Sequence, residues 1–194
     1  MNYNNEYWIL CPSFQDEKFH VVPSEETGLR RFHVQELVDE ENRAIFISDE
    51  CGLVALPPTI LHCKPSLIIH SSIKELFKMV YGGKLFPAIV ETPDGNMMDY
   101  YLVNVFELLD CWDRDKSAFK QKDPEYFPRV YEYSLDTCVL DQIKESERLV
   151  FKMGGTDLSP MVVHEKIKNR LEPLGIGTNY FRVADYCFGD EFEE

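Results

Sequence analysis

The sequence lacks any excess of basic charge: 20 Lys and Arg stand against 34 Asp and Glu, giving a formal net charge of −14 and a pI near 4.8. A sequence-independent nucleic-acid binder needs cations to displace condensed counterions, and a peripheral membrane protein needs a basic face towards anionic lipid, so both classes are excluded. Proteins with basic surfaces remain as partners. A long apolar run is also missing. The stretch Gly52 to Cys63 is broken by Pro57 and Pro58 and falls short of the roughly 18 residues that a membrane span requires. The start, Met-Asn-Tyr-Asn-Asn-Glu-Tyr-Trp, has neither a basic nor an apolar signal region. The expectation is a soluble, cytoplasmic chain. Cysteines 11, 51, 63, 111, 138 and 187 include no Cys-x-x-Cys pair, and they read as buried reduced thiols in a reducing compartment.

What is present is enough apolar matter for a core: 44% of residues are hydrophobic, among them 2 Trp, 10 Tyr and 13 Phe. At this length roughly 70% of the unfolded surface can be buried. No repeat or low-complexity linker divides the chain. One domain over 1–184 is expected, with a further division into 1–83 and 84–184 left open, followed by an acidic tail over 185–194.

Short β-branched or aromatic runs predict strands over 7–10, 18–22, 44–48, 85–91, 100–106, 129–134, 148–153 and 178–183. Asp94-Gly95 between two of these runs predicts an antiparallel hairpin, because both residues tolerate positive φ. A helix is predicted from Ser72 to about Tyr81. Ser72 and Glu75 would form a capping box, Ile73, Leu76, Phe77 and Val80 would share a face, and Gly82 would end the helix. A second helix is expected over about 164–172, before Pro173. It either starts early at Ser159-Pro160 or, preferably, follows a short strand Met161-Val162-Val163, since consecutive β-branched residues suit a strand better. Strands with only two convincing helices predict an α+β fold with a largely antiparallel or mixed sheet and a few short helices in a single globular unit.

No motif forces an enzyme. Asp113, Asp115 and Ser117 imitate the first ligands of a calcium loop, but Ala118 stands where glycine is needed and Pro124 where the bidentate glutamate should be. Asp110 and Asp113 could form a carboxylate pair for a small hydrolase or transferase. The plainer reading of Asp113, Arg114, Asp115 and Lys116 is a solvated turn, with Leu108 and Leu109 turned inward. His62, Cys63 and His70 lack a fourth zinc ligand. His164 next to Glu165 has Lys168 where a metalloprotease helix needs its second histidine, so His164 reads as a cap or an exposed residue. There is no Gly-x-Ser-x-Gly elbow. Gly82-Gly83-Lys84 and Gly154-Gly155-Thr156 read as turns. No cofactor is expected.

The C-terminus carries Asp185, Tyr186, Asp190, Glu191, Phe192, Glu193 and Glu194 with no basic residue. It reads either as a frayed, solvated tail or as a mobile acidic arm whose aromatics anchor on a basic partner.

The run Leu85-Phe-Pro-Ala-Ile-Val, then Tyr100-Tyr-Leu-Val-Asn-Val-Phe-Glu-Leu-Leu-Asp-Cys-Trp-Asp-Arg-Asp-Lys-Ser, resembles a family of bacterial immunity proteins from polymorphic toxin systems. So do Arg148-Leu-Val-Phe-Lys, Val162-Val-His-Glu-Lys-Ile-Lys and Leu174-Gly-Ile-Gly-Thr-Asn-Tyr-Phe. The resemblance covers residues 85–183 and extends loosely over the first 84. It implies a cytoplasmic, cofactor-free protein that binds a cognate toxin, with Asp110, Asp113 and Ser117 as structural turn residues. A self-associating structural protein is a third reading, addressed by concentration-dependent mass measurements.

Overall fold

Strand β1 (Tyr7–Pro12) alternates its side chains between two cores: Tyr7, Ile9 and Cys11 face one, Leu10 and the partly buried Trp8 the other. The computed structural model describes residues 2–13, 20–49, 58–174 and 177–192. β1 is central in a four-stranded sheet of order β10-β11-β1-β12, whose other members are β10 (Val150–Lys152), β11 (Met161–His164) and β12 (Thr178–Arg182). All its pairs are antiparallel, with Ile9 opposite Val162 on one side and Phe181 on the other.

A six-stranded sheet runs in the order β2-β3-β6-β7-β5-β4. It contains β2 (Val22–Pro23), β3 (Ala44–Ile47), β4 (Ile60–Cys63), β5 (Ser66–His70), β6 (Gly83–Glu91) and β7 (Met97–Val105). Only β3 and β6 pair in parallel, so the sheet is mixed, as expected for an α+β chain. The predicted hairpin is β6–β7, and Gly95 takes φ +80° at its turn. The two sheets share the apolar cluster that holds Leu10, Val163, Ile69 and Val103. The outer face of the larger sheet packs Phe46, Phe86, Ala88 and Leu102 against Phe32 and Leu37. The outer face of the smaller sheet packs Phe151 and Val162 against Trp112, Val130, Leu135 and Leu140.

The short helices are α1 (Tyr3–Glu6), α2 (Glu25–Leu29), α3 (Thr137–Leu140) and α4 (Glu165–Leu171). α4 follows β11 directly, which is the preferred arrangement, and the His164 ring caps it by accepting from the Lys166 amide at 3.1 Å. The helix predicted over 72–81 is instead a 3-10 helix over Ser71–Phe77. His70, not Ser72, caps it, because the Ser72 hydroxyl is held by the His70 ring at 2.9 Å. Val80 then bridges to Val150, and the Tyr81 amide donates to the Val150 carbonyl at 2.8 Å. Strand pairing thus takes the residues that would have formed the last helical turn. Gly82 has φ +58°, and a Cβ there would lie 2.2 Å from the Glu107 carbonyl oxygen.

β4, β5 and the three-residue β8 (Ala118–Lys120) were not expected from the sequence. Of the strand predicted over 18–22, residues 18 and 19 lie outside the described residues. Among the described residues no helix is long and apolar enough to cross a membrane.

Candidate partner-binding face

The turn that begins at Asp110 is tied to the smaller sheet. The Leu109 amide donates to Lys152 at 2.9 Å, and the Gly154 amide donates back to Leu109 at 2.8 Å. Trp112 is 1% exposed, and its indole donates to the Gly155 carbonyl at 3.2 Å. Leu109 turns inward, but Leu108 stays exposed because the strand-like pairing sends neighbouring side chains to opposite sides. Arg114 lies over the Trp112 ring at 4.1 Å and donates to Asp110 at 2.7 Å. Asp113 accepts from Lys116 at 2.5 Å and from the Asp115 amide at 3.0 Å. The hydrogen bond from Lys116 lowers the Asp113 pKa. Each carboxylate therefore has its own cation, and neither is arranged as a protonated acid beside a free base.

The other sequence candidates are also built into the structure. His62 is buried in β4, touches the Thr178 hydroxyl at 3.0 Å, and is pushed down to about 3 by burial. Burial pushes the Cys63 thiol up to about 11. Among the described residues no group of three His, Cys, Asp or Glu side chains could hold a metal ion. The five described cysteines are unbridged. Cys11, Cys63 and Cys111 are buried as expected, whereas Cys138 and Cys187 are exposed because they sit on surface segments that end in solvent-facing turns.

Residues 183–192 are docked against the protein. The Val183 amide donates to Tyr7 at 3.0 Å and Ala184 donates to Asn4 at 2.9 Å. Tyr186, expected among the partner contacts, is 5% exposed and stacks near Tyr133 with ring centres 6.1 Å apart. Glu191, also expected there, is buried: it accepts from the Tyr186 hydroxyl at 3.0 Å and from the Gly189 amide at 3.0 Å. Burial, then the neighbouring Cys11 and Glu191, raises the Tyr186 pKa. Asp190 accepts from the Cys187 amide at 2.7 Å. Asp185 and Phe192 face solvent. Glu193 and Glu194 lie outside the described residues.

This segment runs along β9 (Arg129–Glu132), which pairs with β8 in a two-stranded ribbon. Cys187 bridges to Glu132, and the Phe188 amide donates to Tyr131 at 2.7 Å. Phe188 meets Tyr131 edge-on at 6.0 Å and lies beneath the Arg129 guanidinium at 5.2 Å. The ribbon carries exposed rings at Phe119, Tyr126, Phe127 and Tyr131. None of these was singled out from the sequence. The signal that could have found them is the adjacent pair Tyr126-Phe127 between Pro124 and Pro128, which fits neither helical nor strand periodicity.

A second exposed apolar set, Leu29, Val34 and Val38, lies near a loop fixed from inside. Asn104, fully buried, donates to the Phe32 and Gln35 carbonyls at 2.8 and 3.0 Å and accepts from the Leu37 amide at 2.8 Å. The Lys152 ammonium, from the other sheet, donates to the His33 carbonyl at 3.2 Å.

No curated protein matches the chain. A family model described as Immunity protein family (Imm11) matches residues 40–185.

Proposed function

Because the chain belongs to the Immunity protein family (Imm11), matched over residues 40–185 of 194, we propose that it binds a cognate toxin domain in the bacterial cytoplasm and blocks it by protein contact alone, without cofactor or turnover. One observation beyond family membership supports this reading most. Large aromatic side chains stand exposed on the β8–β9 ribbon beside the docked C-terminal segment, in a chain whose net charge is −14. Aromatic anchors in a charged frame suit recognition of a protein surface. Acidic charge favours fast association with a basic toxin. Asp185, Asp190 and Phe192 border this face and contribute to it. The buried Tyr186 and Glu191 support it from beneath.

Coexpression with the toxin encoded beside the gene tests the proposal. The expected outcome is rescue of growth and recovery of a stoichiometric complex. Failure to rescue against every neighbouring toxin candidate would overturn it. The hydrolase reading of Asp110 and Asp113 predicts turnover that Asp110→Asn abolishes; the ion pairs to Arg114 and Lys116 speak against it.

A further inference from the structure

We propose that the tip of the β8–β9 ribbon, Tyr126 and Phe127 framed by Asp123 and Glu125, is the principal docking element, and that it receives an arginine- and lysine-bearing patch on the toxin. This rests on the toxin-binding reading above and names the surface that it uses.

Three observations lead to the tip. First, its rings are open. Tyr126 is 72% exposed and Phe127 67%, the two most exposed aromatic rings among the described residues. Second, the tip is held in shape without using those rings. The Glu125 amide donates to the Asp123 carboxylate at 3.0 Å, the Tyr126 amide donates to the Asp123 carbonyl at 3.2 Å, and the Gln121 side chain donates to the Tyr126 carbonyl at 3.1 Å. A partner therefore meets a surface that needs little ordering on binding.

Third, the charges left free are mainly acidic. In and around the ribbon, Arg114, Lys116 and Arg129 are already neutralised by Asp110, Asp113 and Asp157. Asp115, Asp123, Glu125 and Glu132 have no ion pair among the described residues, and of the cations only Lys120 and Lys122 are similarly free. The same surface already shows the chemistry in miniature. The Arg129 guanidinium lies over the Phe188 ring, with the Asp157 carboxylate at 2.7 Å on its Nε. A toxin arginine placed over Tyr126 or Phe127, with its fork on Asp123 or Glu125, would repeat that arrangement. The competing apolar set at Leu29, Val34 and Val38 is aliphatic, a residue class that carries less binding energy at interfaces than aromatics do.

The test is binding of the full chain to a catalytically inactivated domain of the toxin encoded beside the gene, followed by surface plasmon resonance at low and high salt. The variants are Tyr126→Ser/Phe127→Ser, Asp123→Lys/Glu125→Lys and Val34→Ser/Val38→Ser. All substitute exposed side chains, and unchanged urea midpoints confirm that each folds. The aromatic variant is expected to weaken binding roughly hundredfold, mostly through faster dissociation. The charge variant should slow association about tenfold and flatten its salt dependence. The valine variant should bind as the wild type does. Wild-type affinity in both ribbon variants overturns the inference while leaving toxin binding intact, and loss confined to the valine variant overturns it in favour of the other loop. If the wild-type chain binds no neighbouring toxin, the functional reading fails and the inference fails with it.

Discussion

Replacing Lys152 by methionine should stabilise the protein near neutral pH and lose that advantage in alkali. Lys152 closes β10 with 2% of its surface exposed, and its ammonium donates to the His33 carbonyl at 3.2 Å. Burial pushes its pKa down from 10.5 to about 8. A base whose folded pKa lies below its unfolded value is charged at neutral pH in both states, so the folded protein carries the full cost of desolvation there. At about 1.4 kcal/mol per pKa unit, that cost is about 3 kcal/mol at pH 7. It falls as pH rises from 8 to 10.5, because the folded lysine becomes neutral while the unfolded one still binds its proton. At pH 10 about 0.8 kcal/mol remains. Methionine keeps the length and apolar stem but leaves the His33 carbonyl without its donor, a loss of about 1 kcal/mol. The net expectation is a gain of about 2 kcal/mol at pH 7 and approximately no gain at pH 10. Comparing the two proteins at each pH cancels the alkaline destabilisation from thiols and phenols, which ionise in the unfolded chain while burial keeps them protonated in the fold. Urea unfolding followed by tryptophan fluorescence would measure both differences. A difference between variant and wild type that does not change between pH 7 and pH 10 would refute the reasoning.

Other substitutions probe the devices that shape the fold. Asn104→Ala removes three hydrogen bonds from the buried end of the 30–41 loop; it should cost about 3 kcal/mol and speed hydrogen exchange at the Leu37 amide, and protection equal to wild type would exclude Asn104 as the anchor. Gly82→Ala forces a Cβ to within 2.2 Å of the Glu107 carbonyl at a positive φ, so unfolding midpoints should fall by at least about 2 kcal/mol. Ellman's reagent should modify Cys138 and Cys187 quickly in the native protein and reach Cys11, Cys63 and Cys111 only on unfolding, as peptide mapping would show.

Local signals were legible where the responsible residues are neighbours in sequence. Asp94-Gly95 specifies the β6–β7 hairpin through the conformations those two residues tolerate. The β-branched run before His164 separates β11 from α4, and the histidine caps as its position suggests. Features set by distant partners were not legible. The helical face of Ile73, Leu76 and Phe77 is real, but Val80 and Tyr81 leave it for Val150, and that choice belongs to the tertiary pairing. β4 and β5 were concealed because Pro65 reads as an interruption until the turn that joins them is seen. At the C-terminus, composition reads as an acidic tail because it does not reveal that Glu191 meets the Tyr186 hydroxyl or that Cys187 aligns with Glu132.

The position of β1 sets a schedule for synthesis. Residues 7–12 are made before their sheet neighbours, since β11 and β12 arrive only with residues 161–182. Every strand of the larger sheet lies between them in the chain, so that sheet can assemble while β1 still waits for its partners. Closure of the smaller sheet is thus a completeness check. A chain that stops before β12 leaves the apolar side chains of β1 uncovered for chaperones and proteases to recognise.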